Sequence, residues 1–144
     1  MVYETTSNLA ALRVRISDPL PFTVADGTAI VKGQLLKLTD PRTASLSAGA
    51  NDMIAGIAAR DKVASDGLTE LAVYRTGWFD MFASGAIAIG DGVVASATGT
   101  YPNYVSSAVA ATSGAILIGT ALEAGTNGEQ ILIDLHVGSG GGLV

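Results

Sequence analysis

Four aspartates of this 144-residue chain stand in glycine-containing turns: Asp26 in ADG, Asp61 and Asp66 in RDKVASDG, and Asp91 in GDG. Two carboxylates facing each other across a cleft can divide acid and base work in hydrolysis, and Asp61 with Asp66, or Asp26 with Asp91, would be the pairs to do it. A tight turn asks for the same residue, because an Asp side chain accepts hydrogen bonds from nearby backbone amides. Turn chemistry accounts for all four. His136 is the single histidine and lies two residues from Asp134 in ILIDLHV; with no second imidazole and no cysteine the two make at most a poor metal site. The chain has no G-x-S-x-G elbow, no P-loop, no H-E-x-x-H, and neither Asp-Thr-Gly nor Asp-Ser-Gly. The closing GSGGGLV is followed by no helix that would make it a dinucleotide loop, so residues 138–144 read as a flexible tail. The expectation is a protein that is not an enzyme, with no catalytic, cofactor-binding or metal-binding residues.

The elements that carry these turns read as strands. Apolar residues make up 49% of the chain and charged ones 15%; aromatics are only 6%, and eighteen glycines cut the apolar runs at short intervals. That balance favours many short strands over helices, in a chain sized for one domain. In ILIDLHV, Ile131, Ile133, Leu135 and Val137 fall on one face and Leu132, Asp134 and His136 on the other. In LAVY, Leu71 and Val73 alternate with Ala72 and Tyr74. Residues 104–122 carry no charge and on length could cross a membrane. Ser, Thr and Gly interrupt that run and neither end has a Lys or Arg anchor, so two buried strands are expected there. The opening has neither the basic start nor the apolar run of a secretory signal, so export by that route is not expected. Without cysteine there is no disulfide framework.

The pattern is stated twice. Setting Gly33 beside Gly90 aligns IVKGQLLKL with IAIGDGVVA; after an insertion MIAGIAA pairs with LIGTALE, Gly56 with Gly119; then TELAVYRTG aligns with EQILIDLHVG. Each unit is a meander of about 55 residues. A unit of that size is not expected to close a core alone, so the two together predict one small barrel or sandwich.

Charge divides along the same line. All 8 basic residues (Arg13, Arg15, Lys32, Lys37, Arg42, Arg60, Lys62, Arg75) lie in the first 75 positions, whereas residues 76–144 carry five acids and no Lys or Arg. The anionic half is either a soluble exterior or one pole of a surface that sets binding orientation. A net charge of −5 argues against a nucleic-acid partner. The cluster Trp78, Phe79, Met81 and Phe82 is either a plug in the core or a subunit interface.

The stretch MIAGIAARDKVASDGLTELAVYRTGWFDM resembles the heart of the tailed-phage head decoration proteins of the lambda type. The second half, IGDGVVAS followed by TSGAILIGTALEAGTNGEQILIDL, is similar to a related family of small virion proteins from phage capsid gene clusters. The resemblance covers about residues 25–137. The chain departs from it in the longer segment ATGTYPNYVSSAVAATSG and in the glycine tail.

The resemblance implies an all-β decoration domain over residues 21–137 that binds the outer surface of a capsid as a homotrimer and bridges major capsid protein subunits, without cofactor, nucleic acid or membrane. It also implies that residues 1–20 are an arm toward the shell. In LAALRVRISDPLPF, Leu12, Val14 and Ile16 alternate with Arg13 and Arg15, and these five are the expected capsid contacts; Pro19 and Pro21 are expected to stop any strand. The arm is expected to pack little on its own domain. Trp78, Phe79, Met81 and Phe82 are the candidates for the trimer interface. The alternatives are another virion β module, in a tail or fibre, or a small ligand-binding barrel.

Overall fold

The computed structural model describes residues 9–46, 52–96, 104–108 and 116–137. They form eleven strands: β1 (Ala11–Val14), β2 (Leu20–Thr23), β3 (Leu35–Asp40), β4 (Thr43–Leu46), β5 (Ile54–Ala58), β6 (Glu70–Tyr74), β7 (Thr76–Phe82), β8 (Gly92–Ser96), β9 (Tyr104–Ser107), β10 (Leu117–Ala121) and β11 (Gln130–His136). The protein is all-β, as its alternation and turn chemistry require. In the uncharged run from Tyr104 to Leu122 the described residues form β9 and β10. Among the described residues no helix is long and apolar enough to cross a membrane.

The small barrel expected from the two meanders is present, with each meander forming a curled sheet of its own. Strands β2 to β6 form a closed barrel in the order β2-β4-β3-β5-β6, joined by a parallel bridge from Thr23 to Thr43. The second sheet runs β1-β7-β11-β10-β8-β9 and curls until β9 meets the end of β7, where Ala83 and Val105 form a parallel bridge and Ser84 N donates to Val105 O at 2.7 Å. A short, tightly twisted sheet can bring its edges together, and closure removes the unpaired edge of an isolated meander.

The duplication extends to individual hydrogen bonds. Gly33 N donates to Ala58 O at 2.9 Å and Gly90 N to Ala121 O at 2.8 Å. Ile30 and Lys62 exchange two backbone bonds, as do Ile87 and Gly125. The irregularity in the β3–β5 ladder, between Leu36 and Lys37, recurs in the β8–β10 ladder between Leu117 and Gly119. Gly56 and Gly119 occupy matching sites where strands press together: a Cβ on Gly56 would lie 2.1 Å from Tyr74 O, and one on Gly119 2.2 Å from Asp134 O. Only glycine fits either place.

The barrels share a wall. Phe22, Val24, Leu36, Ala55, Ala58, Leu71 and Val73 fill the first interior. Leu35, Ile54 and Ile57 point the other way and join Phe79, Ile133 and Leu135 of the second. Strand β5 is therefore buried on both faces, whereas its counterpart β10 keeps one face partly open. Arg75, the single residue between β6 and β7, fastens the junction. Its guanidinium donates to Ala55 O at 3.1 Å and Val137 O at 3.4 Å and lies 5.9 Å from the Phe22 ring centroid.

Two expectations for the N-terminal stretch change. Strand β1 packs on its own domain, pairing antiparallel with β7 through Ala11–Asp80, Leu12–Phe79 and Val14–Trp78, and Leu12 lies against the shared core. Pro21 does not stop a strand; it lies in β2, opposite Ala72 of β6. Proline is tolerated there because β4 pairs with β2 only at Thr23, leaving the side away from β6 without a ladder to complete. Residues 1–8 and the glycine tail lie outside the described residues.

Candidate functional site

The turn carboxylates are each engaged by donors of their own or a neighbouring segment. Asp61 Oδ1 accepts from Lys32 N at 2.7 Å, and Asp91 Oδ2 accepts from Ala88 N at 3.0 Å and Ser107 Oγ at 2.9 Å. Asp26 and Asp66 serve a feature that the sequence reading missed. The Lys62 side chain is fully buried, and its ammonium donates to Asp26 O at 2.6 Å, Val63 O at 3.2 Å and Asp66 Oδ1 at 3.2 Å, with Asp26 Oδ1 at 3.6 Å. This clasp ties two loops of the first barrel. A hydrogen bond from Leu68 N is the largest cause holding the Asp66 carboxyl below its ordinary range; burial opposes it, and Lys62 and Val63 N reinforce it. The signal in the sequence was a lysine four residues before the SDG aspartate, which only a contact across the fold with Asp26 turns into a site. Among the described residues no three His, Cys, Asp or Glu side chains are placed to hold a metal.

The four aromatic-cluster residues split by strand alternation. Phe79 and Met81 face the interior of the second barrel, 2% and 0% exposed, and offer nothing to a second subunit. That part of the interface expectation is corrected: period-two alternation along β7 sends them inward. Phe82 is half-buried and stacks on Tyr104, with ring centroids 5.6 Å apart. Trp78 is 38% exposed and points out.

The five arm residues divide as well. Leu12 turns inward, while Val14 and Ile16 are 44% and 56% exposed. Arg13 Nη1 pairs with Asp80 Oδ2 at 2.5 Å, and Arg15 pairs with Asp18. Hydrogen bonding to Asp80 and then the charge of Asp80 raise the Arg13 guanidinium above its ordinary value; desolvation opposes them, and the charge of Glu123 adds a lesser push upward.

The fold makes one surface of the two separate candidate sets. Val14 and Trp78 are cross-strand neighbours. With Arg13, Asp80, Glu123 and Leu132 they line an open groove of about 360 Å³ on the outer face of the second barrel. Leu132 N donates to Glu123 Oε1 at 2.7 Å, holding that carboxylate in place, and Asp134 lies across from Trp78 in the β7–β11 ladder. The groove lining is half apolar and half charged, with two carboxylates to one guanidinium.

Two fused barrels with their turn carboxylates engaged in loops, and with an exposed apolar and charged face, define a β module suited to presenting a surface. Residues 14–136 match the model of the phage cement protein family, and the chain belongs to that family; it is a structural protein of a bacteriophage virion. Among solved structures, it is similar to the head fiber gp8.5 N base of bacteriophage phi29. The two share 18% sequence identity with a TM-score of 0.52, over 81% of this chain and 92% of the other. That likeness extends over both barrels and concerns the fold. No curated protein gives a significant match.

Proposed function

We propose that the protein is a capsid decoration, or cementing, protein: it binds the outside of the head shell as a homotrimer and stabilises the shell by bridging neighbouring major capsid protein subunits. The observation that carries this reading is membership of the phage cement protein family over residues 14–136. The geometry supports it. Two barrels sharing a core form a stiff body that can hold apart two contact points on a shell, and attachment through three linked copies multiplies a modest contact into firm binding.

Within this reading the exposed arm residues Val14, Arg15 and Ile16, together with Trp78, form the contact face. Leu12 acts behind it by fixing β1 to the second barrel. Arg13 borders the groove with its charge paired to Asp80. The work is binding, with no reaction to catalyse.

The test is occupancy. Purified protein is mixed with undecorated heads, bound copies are counted, and release of the shell contents on heating or in denaturant is compared with and without it. Saturable binding together with a raised temperature of shell failure is expected. Sedimentation of protein released from the heads reads the trimer. Heads that stay bare, or bound protein that leaves shell stability unchanged, would refute the reading. The likeness to a head fiber base favours a second reading, in which the module seats a longer appendage. Binding without stabilisation would support that alternative.

A further inference from the structure

The groove around Trp78 has a definite chemistry. Its lining combines apolar Val14, Trp78 and Leu132 with charged Arg13, Asp80 and Glu123. Arg13 and Asp80 neutralise each other. Glu123, oriented by the Leu132 amide, adds a second carboxylate that acts on the same arginine, and Asp134, which stands across from Trp78, forms no ion pair among the described residues. No Lys or Arg exists anywhere in residues 76–144 to answer them. An exposed indole beside three carboxylates and a single arginine carries an excess of negative charge, and is a poor seat for an acidic or purely apolar group, which would desolvate that charge without pairing it. It suits a cation on an apolar stem. The methylenes of such a side chain cover the apolar lining, the charge meets the carboxylates, and the indole face adds cation–π attraction.

We propose that this groove receives a basic segment of a capsid subunit, one Lys or Arg of which lies along Trp78 with its charge between Glu123 and Asp134. The inference rests on the cementing reading above and specifies the partner chemistry at that face. Of the chain's own cations, Arg13 and Arg15 are paired and Lys62 is buried, whereas Lys32, Lys37, Arg42 and Arg60 lie on the first barrel, so a second copy of this chain is the competing occupant that crosslinking tells apart. Arg75 is held by backbone carbonyls.

The test uses intact heads. A photo-crosslinking residue is introduced as Trp78→p-benzoylphenylalanine, the protein is bound to undecorated heads and irradiated, and the linked peptide is identified by mass spectrometry. The expected product is a capsid-subunit peptide with a Lys or Arg within a few residues of the link. In parallel, Glu123→Gln combined with Asp134→Asn is expected to weaken binding at least about tenfold and flatten its salt dependence, while Trp78→Ala weakens it to a similar extent with the salt dependence retained. Sedimentation of the free protein should be the same for all variants. A crosslink to a second copy of this chain, a linked peptide without a cation, or wild-type affinity in the double variant would overturn the inference and leave the cementing reading standing. Failure of the unmodified protein to occupy heads would remove that reading and this inference together.

Discussion

At the scale of single residues, burial of Lys62 makes the first barrel depend on one ammonium group. Its partners are the Val63 carbonyl, the Asp26 carbonyl that Ser65 N also serves, and the Asp66 carboxylate, so Lys62→Met, similar in length and uncharged, is expected to cost on the order of 2 kcal/mol in denaturant titration. The carboxylates give the pH dependence its sign. Asp66 has a folded pKa lowered chiefly by the Leu68 amide, and Glu129 one lowered by the Thr126 amide and hydroxyl. Each therefore contributes stability that is complete above its unfolded value, about pH 4, and is lost as pH falls through the lower folded value. Thermal melts from pH 6 down to 2 should show a declining midpoint in the acid limb, shallower in Asp66→Asn. The glycine pair gives a third expectation. Gly119→Ala and Gly56→Ala each drive a methyl into a backbone carbonyl, and each should lower stability by about 3 kcal/mol or prevent folding, whereas Gly67→Ala meets open space and is strained only by its φ of +86°. Equal stability of all three variants would contradict the close approach of the strands.

At the scale of elements, β1 is the strand whose role the fold changes most. The alternation of Leu12, Val14 and Ile16 with Arg13 and Arg15 is compatible with an arm that reaches away from the domain and with a strand laid on it. The β7 edge decides for the strand, because β7 is longer than its contact with β9 and leaves its first half to be covered. Removing residues up to Val14 should uncover part of that edge and the shared core beside Leu12. We expect a lower melting midpoint, by roughly 5 °C for a loss of about 1–2 kcal/mol, read by differential scanning calorimetry. An unchanged midpoint would mean that β1 contributes contact surface alone.

At the scale of the whole molecule, the shared wall makes two barrels into one folding unit. Alone, the first barrel would expose Leu35, Ile54 and Ile57, and the second would lose the cover over Phe79 and Leu135. Arg75 binds carbonyls on both sides of the junction. Unfolding is expected to be a single transition. Trp78 fluorescence reports the second barrel, the amide of Leu36 in hydrogen exchange reports the first, and both should give the same midpoint in urea. Separate midpoints would show two independent domains.

Much of this protein was legible in the sequence because strands and turns are local. Period-two alternation fixes which residues of ILIDLHV face inward, and glycine-containing turns mark where strands reverse, so the all-β class and the internal duplication follow from neighbours along the chain. What the sequence left open is decided by distance in space. Whether Trp78 and Phe79 are core or surface depends on which side of β7 faces the barrel, and the cluster divided between both. Whether Asp26 and Asp66 are bare turns or a clasp depends on Lys62 reaching them. Closure of each meander depends on strand curvature, which no residue pattern states, and the meeting of Val14 with Trp78 depends on a register between segments far apart in the chain. Local sequence determines the elements; long-range contacts, set by burying both barrels against one wall, decide which faces remain to bind.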